Sequence, residues 1–442
     1  MIALEVLGWL VILVGIGVSI GLHEIGHLVP AKKFGVRVTQ YMVGFGPTIW
    51  SRHKGETEYG VKWIPLGGYI RMIGMFPPEK GSDGTMVRAS STGRISTLIS
   101  DARTASMEEV RTEDRDRVFY KLPVHRRVII MLGGPTMNLV LAFVFFAIAL
   151  VGIGIPTPTT TVGLVTPCAP TAGNLAGTTS GTTGTADCAT GPSPAAVAGL
   201  EPGDVVTAVD GTPVADWPAL QDAIVGAGAG PATFTVDRGG STVMLTADLQ
   251  NVPRPVYDDA GKQVGTVDKP FLGMAPTATR QSQPLSSVPN AMWTTTTHAV
   301  GAIVTLPVRV YDLVQVVRSD QPRDPNGIVG VVGVGRLTGE VVAMENTPVL
   351  DKAATVVGIL AGLNLFLFLF NLIPLLPLDG GHVAGALWEG IKRSYARVRH
   401  RPDPGPVDVA KALPIAYAVS ILLIAMSVVI LYADLVKPIT LQ

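Results

Sequence analysis

The sequence has little charge and only two cysteines among its 442 residues. Asp, Glu, Lys and Arg together make up 15% of the chain, well below their share in ordinary soluble proteins. Acidic and basic residues number 34 each, so the net charge is zero. A balanced chain of this kind gives no indication of nucleic acid or of another strongly charged partner. With 47% hydrophobic residues, the composition instead indicates a membrane protein.

Four uncharged segments approach or exceed the length that crosses a bilayer, which is about 20 apolar residues. They are Val6–Leu22, Val128–Gly154, Ala353–Leu378 and Ala412–Ala433. The first is long enough only if its helix continues to about Pro30. The sequence therefore predicts four transmembrane helices, at residues 1–30, 128–154, 353–379 and 412–433.

A cleaved signal peptide is the alternative for the N-terminus, and two absences disfavour it. The segment lacks a basic start, since Glu5 is its only charge before His23. It also lacks a cleavage site of small residues. We expect the first segment to remain in the membrane.

Basic residues are concentrated in two of the connecting segments. Ala31–Arg127 and the short Glu389–Lys411 are rich in Lys and Arg, whereas the long Ile155–Lys352 is sparse in them. The positive-inside rule places the first two on the cytoplasmic side and the third outside, with both termini. This predicts a multi-pass protein of the plasma membrane, in contact with the lipid bilayer.

Three of the segments between the predicted spans differ in their sequence pattern. Residues 31–76 alternate apolar and polar residues between glycines, which is typical of β-hairpins. Residues 77–127 hold few aliphatic residues and predict a flexible cytoplasmic insertion. Residues 284–350 have a helical pattern without a full span and predict a connector at the membrane surface.

The outer segment contains a unit, residues 160–277, that can bury a core of its own. From Ser193 the unit contains "SPAAVAGLEPGDVVTAVDG", which predicts a short helix, a tight turn and an apolar strand. An amphipathic helix and a terminal hairpin follow. Cys168 and Cys188 also lie outside, where a pair can oxidise to a disulfide; two free thiols are the alternative.

His23, Glu24 and His27 form the pattern H-E-x-x-H at the end of the first apolar segment. On a helix, the two histidines project from one face and can reach one zinc ion. Glu24 would then lie beside the attacking water as its general base. Ionisable groups within a span indicate function by default, because each is costly there. A polar helix end at the interface would explain the polarity but not the spacing.

A hydrolytic zinc site needs a third protein ligand, and Asp379 is the candidate. It ends the third apolar segment, after Pro374 and Pro377 and before two glycines that let the chain turn. By the predicted orientation, the first and third spans run in the same direction. Asp379 therefore reaches the level of the two histidines. A helix terminator at the interface is the alternative for this residue.

Four motifs together resemble the site-2 protease family of intramembrane zinc metalloproteases, with the closest likeness to the bacterial branch that cleaves anti-sigma factors. They are "HEIGH" at 23–27, "GFGP…IPLGGYIRM" at 44–72, "GGPTMN" at 133–138 and "NLIPLLPLDGG" at 371–381. The resemblance implies zinc held by His23, His27 and Asp379, with Glu24 as catalytic base. It also implies a role for Asn138 and Asn371 in substrate handling, although packing between helices is the alternative. His382 would be a supporting residue and not a ligand.

The resemblance also suggests roles for the hairpin and the outer unit. Residues 37–72 would dip into the membrane and offer a strand edge to an unwound substrate, with Gly67 and Gly68 permitting a kink and close approach. The outer unit resembles a single PDZ domain, which either binds C-termini or excludes bulky substrates by size. The expected fold is thus a polytopic α-helical membrane protein with four transmembrane helices, a membrane-associated β-hairpin element and an extracytoplasmic α+β PDZ domain.

The implied function is zinc-dependent cleavage of single-pass membrane proteins near the cytoplasmic side. The expected substrates are anti-sigma factors already shortened outside by a site-1 protease. A catalytically inactive membrane adaptor and a metal transporter are the rival classes. An adaptor has no use for Glu24, and a transporter would place ionisable residues on the second and fourth spans too.

Overall fold

The computed structural model describes residues 2–77, 110–168, 191–257, 263–319, 323–324, 327–345 and 347–439. It divides into two compact units. Unit 1 comprises Met1–Ile153 and Ser282–Gln442, and unit 2 comprises Gly154–Gln281.

Unit 1 begins with α1, Ile2–Lys33, an apolar helix that ends in two lysines. Helix α2, Val124–Ala147, continues into a π-helical turn at Ile148–Ile153 and runs antiparallel to α1. The two helices meet at Gly26 and Gly133, where a Cβ on Gly26 would lie 2.3 Å from the Gly133 carbonyl oxygen. Only glycine permits this approach, so the crossing point is fixed by sequence.

Between α1 and α2, strands β1, Val38–Lys54, and β2, Thr57–Met72, form a long antiparallel hairpin with several register shifts. The hairpin folds back on itself, because Val43 pairs with both Gly68 and Val61. The start of β1 is therefore flanked on both sides, and the end of β2 becomes an outer edge. Apolar residues at the far end of the hairpin are exposed, among them Ile49, Trp50 and Trp63.

The predicted insertion 77–127 is described only at Pro77 and from residue 110 onward; residues 78–109 lie outside the described residues. In the described part, Phe119 is buried against Leu28 and Met131. Asp114 is buried and pairs with Arg37 just before β1. The described C-terminal part of the predicted insertion is thus packed against the rest of unit 1. The prediction of a flexible insertion therefore does not hold for the full range 77–127.

In the described residues, five more α-helices follow unit 2. They are numbered from α5, because two short helices described in unit 2 precede them in the chain. The first four are α5, Ser287–Arg318; α6, Val331–Ala343; α7, Val349–Asn371; and α8, Asp379–Val398. The last helix is α9, Leu413–Val436. The segment with Pro374 and Pro377 separates α7 from α8, so Asp379 is the first residue of a new helix.

Five helices in the described residues are long and apolar enough to cross a membrane, so the prediction of four is not exact. They are Ala3–Lys33, Val124–Ile153, Ser287–Arg318, Val349–Asn371 and Val409–Val436. The sequence predicted a helical pattern here but not a helix long and apolar enough to span, because four consecutive threonines lower the hydropathy. Within the helix, Thr295 and Thr305 donate their hydroxyls to the carbonyls of Ala291 and Gly301, which satisfies much of that polarity.

Both ends of α5 contact the same end of unit 1. Just before α5, Gln283 N–H donates to the carbonyl of Leu150, at the end of α2. At the other end of α5, the Val316 carbonyl accepts a hydrogen bond of 2.8 Å from Nζ of Lys437, the residue that follows α9. The end of α2 lies beside the first half of α1, where Phe145 packs against Ile12 and Ile16. The end of α9 is connected to the start of α1 through α6.

Helix α6 connects the end of α9 to the start of α1. The Asp434 carboxylate accepts hydrogen bonds from the N–H groups of Gly330 and Gly333 at the start of α6, each 2.9 Å long. A Cβ on Gly335 would lie 2.1 Å from the ring of Trp9. Small residues on α6 thus let it lie directly on α1.

Unit 2 is an antiparallel sheet with two short helices. Its elements are β3, Ile155–Val165; α3, Pro194–Ala198; β4, Val205–Val209; β5, Thr212–Pro213; α4, Trp217–Ala227; β6, Gly230–Arg238; β7, Ser241–Tyr257; β8, Gln263–Phe271; and β9, Met274–Gln281. The sheet order is β8-β7-β6-β4-β3-β9, with β5 beside β4. Phe234, Leu220 and Val206 lie in its core. Ser193 and Asp216 cap α3 and α4 with their side chains.

Candidate metal centre

Three side chains from the two ends of unit 1 meet at one point. His23 and His27 lie one turn apart on α1, and Asp379 begins α8. The two Nε2 atoms are 3.2 Å apart, and they lie 3.4 Å and 3.3 Å from Asp379 Oδ2. The three ligand atoms therefore form a nearly equilateral triangle.

This triangle matches the demands of zinc. Tetrahedral coordination at about 2.0–2.2 Å places two ligand atoms about 3.3–3.6 Å apart. Asp379 Oδ2 is buried, and no described residue gives it a hydrogen bond of normal geometry. This oxygen lies within 3.4 Å of the Nε2 atoms of both imidazoles. An anionic oxygen and two imidazole nitrogens are a typical zinc donor set.

Helix α2 orients both imidazoles. His27 Nδ1 lies 2.7 Å from the carbonyl oxygen of Ile130, which accepts only from a protonated nitrogen. That contact leaves Nε2 unprotonated and directed at the centre. His23 Nδ1 lies 3.1 Å from the side-chain amide of the fully buried Asn138. His23 can present Nε2 to a metal only if Nδ1 carries the proton and donates it to the amide oxygen of Asn138. The Asn138 amide then has its oxygen, and not its nitrogen, towards His23.

A glycine on α2 leaves the room that an ion needs. A Cβ on Gly134 would lie 2.1 Å from His27 Nε2 and 2.7 Å from His23 Nε2. Any larger residue would therefore occupy the space between the ligand atoms. Neither Ile130 nor Gly134 was singled out from the sequence, although Gly134 lies within the quoted motif "GGPTMN".

Glu24 lies between the two histidines in sequence and is buried. It is within electrostatic range of His23, His27 and Asp379. Its side chain packs against the outer edge of the hairpin, where a Cβ on Gly68 would lie 3.0 Å from Glu24 Cγ. The carboxylate accepts a hydrogen bond from the backbone N–H of Ile70 in β2, so it lies between the hairpin and the three candidate ligands.

The other predicted site residues are distributed as follows. Gly67 has a positive φ of 123°, and a Cβ there would lie 2.4 Å from the ring of Phe45, so this hairpin position requires glycine. Asn371 is the last residue of α7, partly buried. Burial lowers the pKa of His382, which is not part of the metal-ligand cluster found in the described residues. Cys168 is disulfide-bonded, whereas its predicted partner Cys188 lies outside the described residues.

The model of peptidase family M50 matches residues 11–401 of the chain, a range that includes all three candidate ligands. The chain belongs to peptidase family M50. This is the site-2 protease family, as the motifs indicated.

Named relatives agree with this assignment along almost the whole chain. The chain is 34% identical over 432 residues to the zinc metalloprotease Rip1 of Mycobacterium tuberculosis, covering 96% of each chain. It is 31% identical over 435 residues to Rip1 of Mycolicibacterium smegmatis, again with 96% of each covered. It is 29% identical over 410 residues to the metalloprotease MmpA of Caulobacter vibrioides, covering 88% of this chain and 89% of that protein. This M50 chain is therefore a zinc metalloprotease, and its apolar helices make it a multi-pass membrane protein.

Proposed function

We propose that this protease hydrolyses a peptide bond in or near the transmembrane segment of single-pass membrane proteins, with His23, His27 and Asp379 as zinc ligands and Glu24 as general base. The observation that supports this most is the triangle of ligand atoms between the apolar helix α1 and the start of α8, with a buried carboxylate beside it. A site for hydrolysis at that depth has use only if the scissile bond lies at the same depth.

The protein groups divide the chemistry between them. Zinc, when bound, polarises the scissile carbonyl and makes water a stronger acid. Glu24 takes a proton from the attacking water and passes it to the leaving amine. Burial beside Gly68 keeps this carboxylate in place between the centre and the hairpin. The contacts from Ile130 and Asn138 hold the imidazoles so that Glu24 and the ligands face one point.

The hairpin supplies a docking edge for the substrate. In the described residues, the end of β2 pairs on one side only, with the start of β1. This edge includes Gly68, which lies against Glu24. A substrate segment must unwind before its backbone can be attacked, and pairing with this edge would satisfy its exposed N–H and C=O groups. We assign Gly67 and Gly68 to this docking step and Asn371 to the same region.

Asn138 has a more specific role than substrate handling. Its amide contacts His23 and is fully buried, so we assign it to the orientation of that ligand.

The arrangement in the membrane follows from the positive-inside rule together with the contacts of α5. We propose that the metal centre lies near the cytoplasmic side and that unit 2 lies outside as a single PDZ domain. Helix α5, although long enough to cross, has both ends at the face where α1 starts. We therefore keep 284–350 as a surface connector. Unit 2 would exclude substrates with bulky outer domains, so that anti-sigma factors are accepted only after a first cut by a site-1 protease.

One substitution tests the proposal. Glu24→Gln keeps the size of the side chain but removes the base. In membranes that contain a tagged single-pass substrate, cleavage is expected to fall about 10²–10⁴-fold. Zinc content of the purified protein should remain at the wild-type level, whereas His27→Ala should lose zinc.

Either of two results would reject the proposal. Undiminished cleavage by Glu24→Gln would exclude this residue as the base, and full zinc content in His27→Ala would exclude the site.

A further inference from the structure

A buried ion pair joins α2 to α8 away from the metal centre. Arg127 Nη2 lies 2.5 Å from Glu389 Oε1, and the two side chains are 6% and 0% exposed. The second carboxylate oxygen of Glu389 accepts a hydrogen bond from the Val407 N–H, 3.0 Å away. Arg393, one turn further on α8, also lies 3.0 Å from Oε1.

Burial of this kind is costly. A carboxylate and a guanidinium each lose several kcal/mol of hydration when they are buried. An apolar pair of similar size often stabilises a fold at least as much as a buried ion pair does. Ion pairs of this kind are known to fix register between elements in some systems, because a charge accepts few alternative partners. The stability of unit 1 alone therefore does not account for this pair.

Each residue of the ion pair lies on a helix that positions part of the metal centre. Arg127 precedes Ile130 by one turn on α2, and Ile130 holds His27 through its carbonyl group. Glu389 lies ten residues after Asp379 on the same helix, about 15 Å along its axis. Helix α2 is fixed to α1 at Gly26 and Gly133. The ion pair thus adds a buried polar contact between α2, which is fixed to the helix of the histidines, and the helix of the aspartate.

We infer that the Arg127–Glu389 pair sets the position of α8 along α2 and so places Asp379 among the two histidines. This inference rests on the proposed zinc ligands. Both residues are positioning residues, since neither contacts the ligand atoms. An interface held by aliphatic contacts alone, such as Val383 against the core around Ile130, can slide by a fraction of a turn. A shift of about 1 Å at Asp379 would already weaken metal binding and slow catalysis.

The experiment compares metal binding with stability in the purified full-length chain. Glu389→Gln removes the charge but keeps an acceptor for Val407, and Arg127→Met with Glu389→Gln removes both charges. Zinc affinity is measured by competition with a chromophoric chelator. The visible spectrum of the Co²⁺-substituted protein reports ligand geometry, and thermal unfolding reports stability.

Glu389→Gln is expected to weaken zinc binding about 10–100-fold, the range found for residues that orient metal ligands. The double variant should regain thermal stability but not zinc affinity. The buried Arg127 charge is gone in this variant, and Arg393, the other cation beside Glu389, is partly exposed and keeps Asp403 within 3.5 Å. Arg127→Lys, which keeps the charge, should lose less affinity than Arg127→Met. The kcat should fall in Glu389→Gln while KM changes little.

Asp434→Asn is a matched control. Asp434 is equally buried, pairs with the buried Arg323 and accepts two backbone N–H groups, but it does not lie on α2 or α8. It should lose stability while its zinc affinity and Co²⁺ spectrum stay at wild-type values.

Three outcomes overturn the inference. They are unchanged zinc affinity in Glu389→Gln, recovery of affinity together with stability in the double variant, and an equal loss of affinity in Asp434→Asn. His27→Ala separates this result from the proposed function, since full zinc content in that variant would reject the ligand set itself.

Discussion

Gly134 lies against the imidazole of His27 so closely that a methyl group on its Cα would be 2.1 Å from Nε2. The same methyl group would lie 2.7 Å from His23 Nε2. The backbone of α2 is thus one wall of the metal centre, and the absence of a side chain is what gives the centre its volume.

Gly134→Ala is therefore expected to abolish zinc binding. The methyl group would take the space where the ion must lie, and the helix backbone at this position cannot retreat without breaking its contact with α1 at Gly133 and Gly26. We expect the loss of zinc affinity to exceed 100-fold, with cleavage falling in parallel. Zinc analysis of the purified variant is the measurement.

Gly17→Ala is the matched control, since a Cβ on Gly17 of α1 meets no atom within 4 Å. It should bind zinc normally. A Gly134→Ala protein with full zinc content would show that the ligand atoms do not enclose the ion.

Gly68→Ala should slow cleavage without removing zinc. Its Cβ would lie 3.0 Å from Glu24 Cγ and 2.9 Å from Ile20 Cγ2, so it would displace the base and not the ligands. Displacement of a catalytic group by about 1 Å costs roughly 100-fold in rate. We expect kcat to fall about 10–100-fold at unchanged zinc content. Equal losses of zinc and activity would mean instead that the hairpin supports the ligands.

The three candidate ligands could be proposed from the sequence because metal chemistry requires particular residue types at particular spacings. Two histidines four residues apart and a carboxylate after a helix break are visible without coordinates, and the structure brings all three together. The contacts that orient them involve a backbone carbonyl at Ile130 and a missing side chain at Gly134, neither of which is a chemical signature. Only packing reveals such residues.

The number of helices long enough to span was harder to predict than the candidate ligands. Helix α5 was predicted as a helical connector but not as a span, because hydropathy counts threonine as polar, whereas Thr295 and Thr305 bond to their own helix. The fold-back of the hairpin was also invisible, because alternation of apolar and polar residues gives strands but not their partners. Register shifts between β1 and β2 depend on contacts far apart in sequence.

Asn138→Leu should weaken zinc binding about 10–100-fold, because His23 would lose the amide that fixes its ring. Zinc affinity, measured by chelator competition, is the readout. Asn364→Leu is the control: Asn364 is also fully buried and donates to Ser19 on α1, one turn before His23, without contacting a ligand. It should retain zinc affinity. Similar losses in both variants would indicate general loosening of α1.

The placement of α5 predicts that both of its ends are accessible from one side of the membrane. In a protein with Cys168 and Cys188 replaced by serine, single cysteines at Leu285 and Arg318 should react with a membrane-impermeant thiol reagent added outside intact cells. A cysteine at His53, in the hairpin, should react only after permeabilisation. Labelling of the Leu285 and Arg318 positions from opposite sides would instead show that α5 crosses the membrane.

Asp204 gives unit 2 a stability that depends on pH. Its buried carboxylate accepts two hydrogen bonds of 2.7 Å from Arg238, and this guanidinium holds the pKa of Asp204 below its ordinary value of about 4. A carboxyl with a lowered pKa stabilises the fold fully above the unfolded pKa. That stabilisation is lost as the pH falls through the folded pKa.

Asp204→Asn should therefore increase hydrogen exchange in β4 and β6 about tenfold or more at pH 7, since it removes a charge-assisted pair. The difference from wild type should shrink below about pH 4, where the wild-type carboxyl itself becomes protonated. Mass spectrometry of peptides from the full-length protein, compared at each pH, measures both. Asp248→Asn is the control, because Asp248 is exposed on β7 and should show no change at either pH. A difference for Asp204→Asn that stays constant from pH 7 to pH 3 would show that ionisation of this carboxyl does not stabilise unit 2.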